Sequence, residues 1–169
     1  MDWIRIDEPS EDNAAQYLDF TAEIKGPVIK GRQIQPYDLD GKGWFQVKIV
    51  LKPAFGNIGY SDNLECPDIK FLTKIWHPFV DADSNLMCID ALKEVWPLYF
   101  PEPAIFEKEK DKQPMLSVFR MIRGVMENVH ESGNRESNVN SEATVGLADG
   151  GIAFDKKAHE ITKRYAVEM

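Results

Sequence analysis

The chain has 169 residues, 43% of them hydrophobic, and sets 20 Lys and Arg against 28 Asp and Glu for a formal charge of −8. That length buries a core within one domain without staples, and the negative balance argues against non-specific binding to nucleic acid or to an anionic membrane. Two cysteines are too few for a disulfide framework, no signal-peptide pattern opens the chain, and no apolar run approaches the ~20 residues of a membrane-spanning helix, so a soluble protein of the reducing cytoplasm or nucleus is expected.

In chain order, residues 17 to 24 place Leu18, Phe20, Ala22 and Ile24 at every second position, the period of a strand with one buried face, and Gly26-Pro27 ends it. After a loop containing Pro36-Tyr37 and Gly41, the run Trp44 to Leu51 alternates again, with Phe45, Val47, Ile49 and Leu51 on one side. Residues 53 to 66 are rich in Gly, Asn, Ser and Asp and read as a loop. A third strand-like run, DIKFLTKI, puts Ile69 and Phe71 on one face and leads into KIWHPFVDADSNLMCIDALKEVWP, residues 74 to 97. Strands joined by loops suit an antiparallel meander.

Residues 98 to 115 combine three prolines with a charged run and read as a surface insertion. From Leu116 the spacing becomes helical: Leu116, Phe119, Ile122, Met126 and Val129 recur at three- and four-residue steps, and Gly133 and Asn134 supply a stop. NSEATVGLAD reads as a short helix closed by Gly150-Gly151, and a last helix carries Phe154, Ala158, Ile161 and Tyr165. The order, strands and then helices, is that of an α+β fold with the helices gathered on one side of an antiparallel sheet of about four strands, a single domain over residues 1 to 169.

The chemistry centres on Cys88. A lone cysteine is often a small buried hydrophobe, but the polar stretch Asp81 to Asn85 before it reads as a turn, which leaves the thiol at a loop edge within reach of a partner. The neighbouring carboxylates Asp81, Asp83 and Asp90 disfavour a thiolate, so thioester exchange suits the site better than hydrolysis. DADSN resembles the start of a calcium loop, yet Leu86 stands where such a loop needs glycine and Leu92 where it needs a bidentate carboxylate. His77, His130 and His159 lie far apart and make no zinc spacing with the cysteines. Neither a metal nor a cofactor is implied.

Taken together, KIWHP, Met87-Cys88-Ile89-Asp90, Trp96 eight positions beyond the cysteine, LSVFRMIRGVMENV, SNVNSEA and FDKKAHEITKRYA resemble a ubiquitin-conjugating enzyme domain over most of the chain. The resemblance implies that fold, and it implies that Cys88 accepts ubiquitin or a ubiquitin-like modifier from an activating enzyme as a thioester and passes it to a lysine or to a ubiquitin ligase. It further implies supporting roles near the sulfur. His77 shapes the turn before the active site and is not a base; Trp96 packs over the active-site segment; Ser137 stands where the family has Asp or Ser.

The chain also departs from the family pattern. Phe79 replaces the asparagine of the family's His-Pro-Asn motif, and Asn85 stands where glycine is common, either as a left-handed turn residue or as an amide donor. Cys66 takes a position usually held by proline, which points to a structural role. The loop from Pro53 to Pro67 lacks the usual proline pattern, and the family's first helix has no counterpart before Trp3. These departures keep two alternatives open: a conjugating-enzyme-like binding module without transfer activity, and a NEDD8-type conjugating enzyme.

Overall fold

A computed structural model describes residues 2–6, 18–51, 67–99, 114–133 and 135–168 of the chain. Within these, strands β1 (Ile4–Ile6), β2 (Leu18–Lys25), β3 (Gly43–Leu51) and β4 (Asp68–Phe71) form an antiparallel meander, and a two-residue strand β5 (Val167–Glu168) adds to β3 near Trp44. The helices are α1 (Ile89–Tyr99), α2 (Pro114–Glu127), α3 (Ser141–Gly146) and α4 (Ile152–Tyr165), with 3-10 turns at Val129–Ser132 and Asp149–Gly151.

The alternation read from the sequence sets the register. Ile24 faces Phe45, Ala22 faces Val47, and Val47 and Ile49 face Phe71 and Ile69, so the buried residues of three strands share one face of the sheet. Against that face pack Val118, Phe119, Met121, Ile122 and Val125 of α2, with Phe154 and Ala158 of α4 completing the same buried cluster. Fully burying a Phe or Ile side chain here contributes roughly 2 kcal/mol, which is why one-residue slips are strongly disfavoured. The opposite face carries Thr21, Glu23, Gln46, Lys48 and Lys70.

Several elements differ from the sequence-based expectation. The run after Phe71 does not continue as a strand, because the N–H groups of Leu72 and Thr73 both turn to the Gln46 carbonyl at 2.8 and 3.3 Å and the Thr73 hydroxyl accepts from the Gln46 N–H. Helix α1 was not expected, since Pro97 interrupts the pattern; its buried stripe is Ala91, Leu92 and Val95. The segment read as an insertion is therefore helical at both ends, at Leu98 and Tyr99 and again from Pro114, while residues 100–113 lie outside the described residues. Helix α2 ends at Glu127, and Val129 opens a 3-10 turn, so Gly133 is not its cap. Tyr165, assigned to the stripe of the last helix, is 43% exposed, and Thr162 is buried in its place with its hydroxyl donating to the Pro36 carbonyl at 2.7 Å.

The loop from Gly26 to Lys42 closes over the end of the core. A Cβ at Gly26 would stand 1.8 Å from the Tyr37 carbonyl oxygen, so only glycine lets the two backbones meet there. Tyr37 is buried, donates its hydroxyl to the Trp76 carbonyl at 2.9 Å and lies within 22° of parallel to the His77 ring, with centroids 6.3 Å apart. Burial, with the negative charge of Asp155 added, pushes the Tyr37 phenol well above its ordinary value, keeping it a neutral donor.

Candidate active site

The segment from His77 to Ile89 folds back on itself. Val80 and Met87 pair as an isolated antiparallel bridge, the Asp81 N–H donates to the Leu86 carbonyl at 3.0 Å, and the Asn85 N–H donates to the Asp81 carbonyl at 2.9 Å. Asp81 organises the tip: its Oδ1 accepts from the Ser84 N–H at 2.7 Å, the Ser84 hydroxyl at 2.8 Å and the Asp83 N–H at 3.1 Å. Those bonds, the Ser84 N–H foremost, hold its carboxyl below the ordinary value. Asn85 adopts φ +57, the left-handed conformation that asparagine tolerates better than most residues.

This fold-back delivers Cys88 to the start of α1. Its N–H donates to the Phe79 carbonyl at 2.8 Å, and its own carbonyl accepts the first helical bond, from Leu92, at 3.0 Å. The thiol is free and half-buried, packed against the core on one side, while Leu86 and Ile89 on either flank are exposed. Cys88 is therefore held by backbone bonds at the edge of a helix.

His77 lies entirely in the interior. Its Nδ1 accepts from the Phe79 N–H at 3.0 Å, and its Nε2 lies 3.1 Å from the Val125 carbonyl, which can only accept. The ring is thus the neutral Nε2–H tautomer, and burial lowers its pKa from 6.5 to about 4. An imidazole with both nitrogens committed has no free base to offer, so its chemistry is to fix the turn against α2.

Phe79 is 2% exposed, tilted against the His77 ring at 5.3 Å between centroids, and it faces a cleft of about 130 Å³ shared with Val95, Val125 and Arg135. Its phenyl ring can donate nothing to a developing oxyanion; its backbone carbonyl accepts the Cys88 N–H. Ser137 lies across the turn, in a loop whose Val139 and Asn140 N–H groups both donate to the Pro78 carbonyl, at 2.9 and 3.1 Å. Its hydroxyl is buried and has no hydrogen-bond partner. The same holds for Asn85 Oδ1, Asn138 Oδ1 and Asn140 Nδ2, so the unpartnered buried side-chain atoms among the described residues fall in the two segments that meet at the His77–Val80 turn. Groups of this kind are rare in folded proteins.

Trp96 lies in α1, and its side chain is outside the described residues, as are Cys66 and the loop from Pro53 to Cys66. The structure brings together Cys88, His77, Phe79, Asn85 and Ser137 around one turn. Sequence reasoning missed Tyr37, which pins the approach to His77, and Arg135, which has no motif to mark it. His130 and His159 are elsewhere: His130 pairs with Asp155, and His159 bonds the Gln35 carbonyl at 2.8 Å. Among the described residues no three His, Cys, Asp or Glu side chains gather as a metal-binding group, and no helix is long and apolar enough to cross a membrane.

Comparison with known proteins decides the family, because the family model described as ubiquitin-conjugating enzyme matches residues 9–162. The chain belongs to the ubiquitin-conjugating enzyme family. Among curated ubiquitin-conjugating enzymes it is similar to E2 21 of Caenorhabditis elegans, 34% identical over 74 residues, which is 44% of this chain and 29% of that one. It is also similar to E2 27 of Arabidopsis thaliana, 33% identical over 88 residues, covering 52% of this chain and 36% of that one. The chain thus spans only about a third of the length of these two relatives. A NEDD8-conjugating enzyme, UBC12 of Kluyveromyces lactis, is 25% identical over 125 residues, covering 68% of this chain and 58% of that one.

Among solved structures, the ubiquitin-conjugating enzyme domain from Toxoplasma gondii superposes with a TM-score of 0.62 at 20% identity, over 96% of this chain and 88% of that one. These two α+β structures share the conjugating-enzyme fold, which in this chain is a meander sheet with helices.

Proposed function

We propose that residues 1 to 169 act as one conjugating domain that carries ubiquitin or a ubiquitin-like modifier as a thioester on Cys88. The Cys88 sulfur attacks the carbonyl of the thioester held by an activating enzyme; a new C–S bond forms, the old one breaks, and the activating enzyme's thiol takes the proton. A lysine amine, or the cysteine of a ligase, then attacks the Cys88 thioester and releases the thiol. The observation that carries this reading is the half-buried sulfur of Cys88, fixed by backbone bonds at the start of α1.

The test is a charging assay with activating enzyme, ATP and modifier, run separately for ubiquitin, NEDD8 and SUMO. Cys88 should form an adduct cleaved by thiol, Cys88→Ser an adduct that resists thiol, and Cys88→Ala none. Failure with every modifier would sink the reading.

Phe79 supports a second reading, a binding module of the same pathway that scaffolds a ligase or modifier without transfer. Its ring is buried where the family carries an amide, and loss of an oxyanion donor costs ~10²–10³ in rate where that donor acts on the chemistry. Modifier binding that survives unchanged in Cys88→Ala, with no adduct in the parent chain, would favour this reading. The similarity to a NEDD8-conjugating enzyme makes NEDD8 the first alternative modifier in the assay.

A further inference from the structure

Three pieces of chain must keep their places for a thioester on Cys88 to be attacked: the His77–Val80 turn, the first turns of α1, and the loop that carries Ser137. One residue of that loop reaches the other two with its side chain. The Arg135 guanidinium lies over the Phe79 ring, 5.8 Å from its centroid, and its terminal nitrogen bonds the Glu94 carboxylate of α1 at 3.0 Å. Its backbone carbonyl accepts from the Asn138 N–H at 3.2 Å, next to Ser137.

We infer that Arg135 is a positioning residue for transfer, holding the Ser137 loop against the active-site turn through its cation–π contact with Phe79 and its ion pair with Glu94. This rests on the thioester reading above. Among the described residues its other ties are the Val139 and Asn140 N–H groups on the single Pro78 carbonyl, the Asn138 side chain on the Ser132 carbonyl, and Asn140, whose Oδ1 accepts from the Ala143 N–H at 3.0 Å and fixes the loop to the start of α3. The Ser137 hydroxyl itself makes no hydrogen bond, so its pose follows from these anchors and from Arg135. An aromatic face suits a guanidinium because the ring attracts the cation while its remaining N–H groups still reach a carboxylate. The phenyl ring at position 79, which cannot donate a hydrogen bond, thereby gains a structural use as the platform for Arg135.

Charging and discharge separate this role from a general loss of fold. The sulfur is held by the Cys88–Phe79 and Leu92–Cys88 backbone bonds, neither of which involves the loop. Arg135→Ala should therefore charge within about twofold of the parent, while single-turnover discharge of the thioester to free lysine slows about tenfold, in line with the cost of modest misplacement around reacting atoms. Arg135→Lys, which keeps the charge but not the flat face, should recover part of that loss, and Glu94→Gln should lose less than Arg135→Ala.

A second readout needs no modifier. Amide hydrogen exchange at Val139 and Asn140, the donors to Pro78, should quicken about tenfold in Arg135→Ala as the loop opens more often. Discharge at the parent rate, charging and discharge falling by the same factor, or unchanged exchange at these amides would each overturn the assignment. A parent chain that fails to charge removes the thioester reading instead, and the exchange experiment then decides alone whether Arg135 holds the loop.

Discussion

The buried imidazole of His77 makes stability depend on pH in a way that one substitution should erase. The ring is 1% exposed, neutral, and bonded at both nitrogens, with its pKa lowered from 6.5 to about 4. Above pH 6.5 the group is neutral in both folded and unfolded chains and contributes no slope. Between 6.5 and about 4 the unfolded chain binds a proton that the folded one refuses, so stability falls as the pH is lowered through that window and the loss from this group levels off below it. Linkage over those two values gives a loss of about 2 kcal/mol between pH 7 and pH 4.5. The comparison is His77→Gln, which can still donate to the Val125 carbonyl and does not titrate. Urea unfolding of both proteins at the two pH values gives four free energies. The carboxylates titrate in both chains and cancel in the double difference, which should leave the parent more acid-sensitive by about 2 kcal/mol. Equal pH dependence in the two proteins would refute the reasoning, whatever the absolute cost of the substitution.

Two further outcomes follow from local geometry. The Asp155 side chain, 4% exposed, accepts from Arg32 Nε at 2.7 Å, from the Arg32 terminal nitrogen and from His130 Nε2 at 2.7 Å, so Arg32→Ala leaves a buried carboxylate held by His130 and should cost about 2 kcal/mol, a fall of roughly 5 °C in Tm by calorimetry. At φ +57, Asn85→Gly should change the urea midpoint little, whereas Asn85→Val should cost about 1–2 kcal/mol because a β-branched residue resists the left-handed region.

The strands were legible because one face of the meander is buried and the other is polar: Ala22, Ile24, Phe45, Val47, Ile49, Ile69 and Phe71 alternate in the sequence as they do in the sheet. Helix α2 was legible for the same reason at its own period. Helix α1 was not, since a proline near its end and a cysteine before its start read as loop chemistry, and its existence depends on Ala91, Leu92 and Val95 finding the core. Strands β1 and β5 are three and two residues long, too short for any period to show, and exist because β2 and β3 offer them edges and registers. Cys88 could be singled out from its neighbours, but the partners of His77 could not, because Val125 is 48 residues away and contributes a carbonyl, the group every residue has.

That last point bears on what the substitution at position 79 can and cannot change. The sulfur's position comes from main-chain groups: the Phe79 carbonyl takes the Cys88 N–H, the Ile69 carbonyl takes the Met87 N–H, and Asp81 and Leu86 close the turn. None of these bonds uses the side chain at 79. A phenyl ring in place of an amide therefore leaves Cys88 where the fold puts it. The ring turns inward against His77, the Arg135 guanidinium lies 5.8 Å from its centroid, and the buried polar atoms without partners among the described residues are those of Asn85, Ser137, Asn138 and Asn140. Under the thioester proposal, charging at Cys88 should follow the first set of contacts, and the rate of transfer from it the second.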